Sequence, residues 1–113
     1  MLPSSNKIKT QLFKEILSKG KIYNSIYFSV KFLENPNGNI NKFAVVVPKK
    51  VMKKAISRNL LRRRLFNYLK DLNKDLNKSF TIILFCKSEV DKLSFNGLKK
   101  EVDLILKKIG LFK

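Results

Sequence analysis

The spacing of apolar residues along this chain changes from helix-like to strand-like and back, and the changes mark its elements. From about Lys7 to Lys19, Ile8, Leu12 and Ile16, with the adjoining Phe13 and Leu17, make one side of an amphipathic helix, because residues three and four apart share a helical face. Ser4 or Ser5 can cap its start, and Gly20 stands where helices commonly end. From Tyr27 to Leu33 the period falls to two. Phe28, Val30 and Phe32 form the face expected in the core, and Tyr27, Ser29, Lys31 and Leu33 a mixed face able to touch a ligand. Asn35-Pro36-Asn37-Gly38-Asn39 is a turn, and Phe43 to Val47 is a second strand stopped by Pro48. Two consecutive strands joined by a short turn suggest an antiparallel hairpin.

The helical period returns from about Lys53. Leu61, Leu65, Tyr68, Leu69 and Leu72 form one apolar stripe, Asn59, Arg62, Arg63, Phe66 and Lys70 a second face, and Lys53 and Arg64 a third. Asp71 to Lys78 reads as the helix end and a loop. Phe80 to Cys86 is apolar on both faces, as a central strand covered on both sides would be. Ser94 caps a last helix whose buried stripe is Leu98, Val102, Ile105, Leu106 and Ile109, ended by Gly110. The pattern leaves no linker and no second domain, so residues 1–113 read as one unit.

Charge changes the picture of the middle helix. The chain carries 25 Lys and Arg against 8 Asp and Glu, a formal net charge of +17, which points to a polyanionic partner. Every arginine lies in one short stretch, as Arg58, Arg62, Arg63 and Arg64, and no acid occurs between Lys49 and Lys70. Lysine would supply the same charge. Arginine adds a planar fork that grips phosphate in two places. Like charges at i,i+4, such as Arg58 with Arg62, weaken a bare helix, so contact with RNA or DNA accounts for the stretch better than a solvated face does. An anionic membrane surface is the rival partner, but no apolar run approaches a spanning length and no signal-peptide core is expected.

Composition also restricts the chemistry. There is no histidine, and the acids (Glu15, Glu34, Asp71, Asp75, Glu89, Asp91, Glu101 and Asp103) are scattered. Zinc sites, histidine acid–base catalysis and a carboxylate cluster holding hydrolytic metal ions therefore have no candidates. We expect no catalytic and no metal-ligating residue. The lone Cys86 cannot form an internal disulfide, which fits a reducing cytoplasm, and reads as a small hydrophobe at a strand end.

The order of these features resembles a known family. A hydrophobic strand, then Pro48-Lys49-Lys50, a short basic link, and Arg58-Asn59 opening a basic helix is similar to the protein subunit of bacterial ribonuclease P. That family has an Arg-Asn-Arg motif after a Lys-Lys pair; Arg58 and Asn59 match its first two positions, Leu60 stands at the third, and Arg62 and Arg63 match the basic pair that follows. The opening helix matches too, Phe13 standing at a regular aromatic position and Leu17 at a second. The resemblance implies a single α+β domain, with a small mixed or antiparallel sheet of about four strands, three helices and a left-handed crossover through the basic helix, against the usual right-handed rule.

It also implies the activity. The RNA subunit hydrolyses the precursor-tRNA phosphodiester, while the protein, inactive alone, binds that RNA and the substrate's 5′ leader and strengthens metal binding by the assembly. Mg2+ would be held mainly by the RNA subunit and substrate. Lys49, Lys50, Lys53, Lys54, Arg58, Asn59, Arg62 and Arg63 are the candidate RNA-binding residues. Phe13, Leu17, Tyr27, Ser29 and Lys31 are the candidate floor for a single-stranded leader, with Leu17 and Lys31 standing where the family often has aromatics. The expected partners are ribonuclease P RNA and precursor tRNA, with no membrane, no obligate protein partner and a cytoplasmic location. A ribosomal-type structural RNA binder is the main alternative. A DNA-binding chromatin or transcription protein and an autonomous nuclease are weaker ones.

Overall fold

Strand pairing in the computed structural model is arranged around one strand, Phe80–Cys86. The model describes residues 10–34, 41–72 and 80–110. Its elements are α1 (Thr10–Lys19), β1 (Lys21–Asn24), β2 (Phe28–Glu34), β3 (Lys42–Val46), α2 (Ala55–Leu72), β4 (Phe80–Cys86), a 3-10 turn (Ser88–Lys92) and α3 (Phe95–Lys108). The strands form one four-stranded sheet in the order β1-β2-β4-β3. β4 runs antiparallel to β2, with Val30 opposite Leu84, and parallel to β3, with Val45 opposite Leu84.

β4 is buried along most of both faces, as its unbroken apolar run requires, with only Phe80 and Phe85 partly exposed. On one face Ile82, Leu84 and Cys86 join Phe28 and Val30 of β2 and Phe43 and Val45 of β3. This face packs against Leu65, Phe66 and Leu69 of α2 and Leu98, Val102, Ile105 and Leu106 of α3. On the other, Thr81 and Ile83 are buried, and α1 lies across β2 with Ile16 fully buried. Each large apolar side chain so enclosed contributes about 1.5–3 kcal/mol.

Two expectations are corrected. β2 and β3 do not form a hairpin, because β4 lies between them. The apolar run of β4, buried on both faces, takes the central place that a two-stranded hairpin would leave open. β1, which pairs antiparallel with β2, is an additional strand. It is four residues long and mostly exposed, too short and too polar to announce itself by alternation. The capping serines, Ile8, the side chain of Leu12, the 35–39 turn and the 73–78 loop lie outside the described residues.

Local signals behave as their chemistry dictates. Ser94 accepts the Gly97 amide at 3.2 Å and so caps α3, while Gly110 takes the left-handed φ of 81° that ends it. Asn41, itself buried, accepts the Phe80 amide at 2.6 Å and ties the start of β3 to the start of β4. Gly20 serves a different need. An added Cβ would lie 2.6 Å from the Ile16 carbonyl oxygen and 3.3 Å from that of Phe32, so only glycine lets α1 turn this closely onto β2. Gly20→Ala should cost about 1–3 kcal/mol, read as a lower thermal midpoint. An unchanged midpoint would mean that α1 is not held tightly at that corner.

Candidate nucleic-acid interface

The basic stretch begins as a folded turn. Val51 and Met52 donate their amides to the Pro48 carbonyl at 3.0 and 3.3 Å, and Val51 is buried in the core cluster. Pinned in this way, the turn holds Lys49 and Lys50 outward, and Lys53 and Lys54 follow, also exposed. The chain then crosses to the helical layer as α2.

On α2, burial of Leu65, Phe66 and Leu69 fixes the rotation of the helix and leaves Asn59, Arg62 and Arg63 exposed. No carboxylate among the described residues meets Arg62 or Arg63, so their guanidinium forks are open to an external anion. The structure corrects one assignment. Phe66 does not belong to the outward face with Arg62 and Arg63. It is buried and meets the Phe43 ring edge-on, centroids 6.3 Å apart and planes at 88°. The apolar stripe is thus wider than the leucines alone suggested, and it takes in part of the arginine side.

Arg58 and Arg64 have internal partners. Arg58 Nη1 donates to the carbonyls of Met52 at 3.0 Å and Lys53 at 2.8 Å, bracing the link that carries the lysines. Arg64 lies over the Phe95 ring, 5.7 Å from its centroid, and so reaches across to the start of α3. Leu60, at the position of the family's second arginine, is 42% exposed.

The second candidate surface is the sheet face that carries α1. Residues opposite one another in the ladder share a face, which puts Asn24, Ser29, Phe85 and Val46 in one row and Ile22, Lys31, Ile83 and Ala44 in the next. Ser29, Phe85, Val46 and Ala44 are half-exposed, forming an open strip beside α1. Lys31 Nζ donates to the Leu17 carbonyl at 2.8 Å, which fastens the end of α1 to β2 and draws Leu17 and Lys31 together. Phe13 is half-buried one turn before Ile16. Phe13, Leu17, Ser29 and Lys31 are therefore gathered on this side.

Tyr27 is not. The bend at 25–27 breaks the alternation before β2 begins, and Tyr27 packs against the core cluster on the opposite face. Phe85 is the aromatic that sequence reasoning missed. Its place in a strongly apolar strand hid it, although its parity with Ile83 set it on this face. The strip ends at Val46, two residues before Pro48 and the exposed lysine pair. A half-exposed strip carrying the Phe85 ring thus leads directly into the basic turn.

Cys86 and Tyr68 serve the fold. Burial pushes the Cys86 thiol up to about 12, so it remains protonated and unreactive near neutrality. Tyr68 donates to Asp103 Oδ1 at 2.6 Å, linking α2 to α3, and burial followed by that carboxylate raises its hydroxyl pKa. Among the described residues no three of His, Cys, Asp and Glu come together as a metal-binding group, and no helix is long and apolar enough to cross a membrane.

Fold and surface together define a small α+β protein with a basic helix, acid-free up to Lys70, on one layer and a half-open sheet face on the other. A family model described as Ribonuclease P matches residues 2–110, and the chain belongs to that family. The RNase P protein from Staphylococcus aureus has this fold with a TM-score of 0.85 at 20% identity, over 96% of this chain and 98% of that one. The RNase P protein from Thermotoga maritima matches with a TM-score of 0.78 at 23% identity, over 90% and 96% of the two chains. No curated protein sequence gives a significant match.

Proposed function

We propose that this protein, as the protein subunit of ribonuclease P, binds both the catalytic RNA and the 5′ leader of precursor tRNA. The reading rests chiefly on one observation, the junction of two surfaces at Val46–Lys50. Lys49, Lys50, Lys53, Lys54, Asn59, Arg62 and Arg63 form a cationic surface for the RNA subunit, and Arg58 braces the link that presents the lysines. Phe13, Leu17, Ser29, Lys31 and Phe85 form a single-strand floor along which leader bases stack.

The work of the protein is then positioning and electrostatics. Phosphates of the two RNAs repel one another as they approach, and the basic surface offsets that repulsion by displacing counterions. Hydrolysis of the phosphodiester belongs to the RNA subunit, and Mg2+ is held mainly by that RNA and the substrate. The expected setting is the cytoplasm, with no obligate protein partner.

The arginines should matter as arginines. Arg62→Lys with Arg63→Lys keeps the charge but removes two forks, and should weaken binding of ribonuclease P RNA by about 1–3 kcal/mol. Filter binding at a single salt concentration measures this. Equal affinity would show that these positions supply charge alone.

A further inference from the structure

A shallow groove opens where the first half of α2 faces the 3-10 turn and the start of α3. Its volume is about 240 Å3, and it is lined by buried Val90 and Leu98, by Leu60, Leu61 and Phe95, and at its edge by Arg64 and Asp91. Ile56, one turn before Leu60 on the same side of α2, is 84% exposed and continues the apolar surface outward. Two cations lie over the Phe95 ring, Arg64 at 5.7 Å and Lys99 at 5.5 Å from its centroid.

We propose that this groove takes one unstacked nucleobase of the bound RNA, specifically a base carrying an exocyclic amino group. The inference rests on the RNA-binding role proposed for α2. The groove is smaller than the roughly 300–1,000 Å3 clefts that hold drug-sized ligands, so it suits one ring system better than a polymer segment. A second copy of the chain, at +17, would meet strong like-charge repulsion. A nucleotide meets none, because Arg64 in the lining of the groove offers its phosphate a cation. The apolar floor and walls replace the stacking partners that a splayed-out base has lost.

Asp91 gives the groove its selectivity. It is exposed, and no cation among the described residues pairs with it, although Lys92 beside it is engaged with Glu89 at 2.7 Å. A carboxylate at the edge of a basic interface repels phosphate, which makes it a poor general RNA contact. It can, however, accept hydrogen bonds from the amino group of adenine, cytosine or guanine. Uracil offers no such group. Leu60 is the other half of the device: an arginine there would place charge in the wall, whereas leucine keeps the wall apolar.

The test uses the full chain and three probes, AMP, CMP and UMP, with inorganic phosphate as the fourth. Titrations followed by NMR should move the side-chain signals of Leu60, Leu61 and Phe95 with AMP and CMP. UMP should bind about five- to tenfold more weakly, the scale of one ordinary hydrogen bond net of its exchange with water. Asp91→Ala, which removes the acceptor, should bring the three nucleotides to within about twofold of one another, and Leu60→Ser should weaken all three. Equal shifts with phosphate alone, or equal losses for all nucleotides in Asp91→Ala, would overturn the proposal. So would movement of the Leu60 signals on concentrating the protein without nucleotide, which would identify a second copy as the occupant. Binding of ribonuclease P RNA by the unaltered chain is measured in parallel. If it persists while the nucleotides fail, only the groove assignment falls; if it fails as well, the RNA-binding reading falls with it.

Discussion

At low magnesium, adding this protein to its cognate ribonuclease P RNA will raise the rate of precursor-tRNA cleavage by at least about tenfold, and the gain will shrink when the 5′ leader is cut to one or two nucleotides. Two RNAs brought together carry dense negative charge, and the repulsion between them is greatest when few divalent ions screen it. On the proposed reading, the exposed lysines of the 49–54 link and the open forks of Arg62 and Arg63 act on that term, and the leader acts through the other surface. Each base stacked on a side chain contributes about 1–3 kcal/mol, and tenfold in rate corresponds to about 1.4 kcal/mol, so the loss of one good stack is measurable.

Phe85→Ala is the sharp variant for this mechanism. Phe85 lies half-exposed between Ser29 and Val46 in the open strip, so its truncation removes a ring from the proposed leader surface and no charge. It should reduce cleavage of a long-leader precursor by about five- to tenfold and leave the short-leader reaction almost unchanged. The assay titrates 5′-labelled precursor with protein, with and without the RNA subunit. Specific cleavage by the protein alone, or a stimulation indifferent to leader length, would sink the mechanism. Tight RNA binding with no effect on cleavage would favour the ribosomal-type alternative.

The sequence carried the helices, the central strand and the family likeness because each left a signal of its own. The 3.6 period of α3, the doubly apolar run of β4 and the crowded arginines of α2 are local facts. Strand order is not local. Nothing in the residues of β2 and β3 records that β4 comes between them, because a parallel insertion is decided by packing across the whole sheet. The same limit applied to faces. Alternation put Tyr27 with Ser29 and Lys31, and only the bend before Phe28 turns it to the other side. Phe85 was hidden for the opposite reason, since a fully apolar strand gives no contrast by which to tell its open face from its closed one.

Phe66 is where these two kinds of information meet, and its truncation is the second large effect expected. By spacing alone it shares a face with Arg62 and Arg63, and as an RNA-facing ring its loss would weaken binding without touching the fold. The structure puts it edge-on against Phe43, next to fully buried Leu65. Phe66→Ala should therefore cost about 3–5 kcal/mol of stability, a large fraction of the roughly 5–15 kcal/mol that holds a domain of this size together. Because α2 contacts β3 through this region, the arginines would lose the rigid backing that keeps them in register. RNA affinity should accordingly stay near the wild-type value in the cold, where the variant remains folded, and fall away on warming in step with its circular-dichroism melt. If affinity drops at every temperature while the melt stays in place, Phe66 touches RNA after all, and α2 turns a different face to the core.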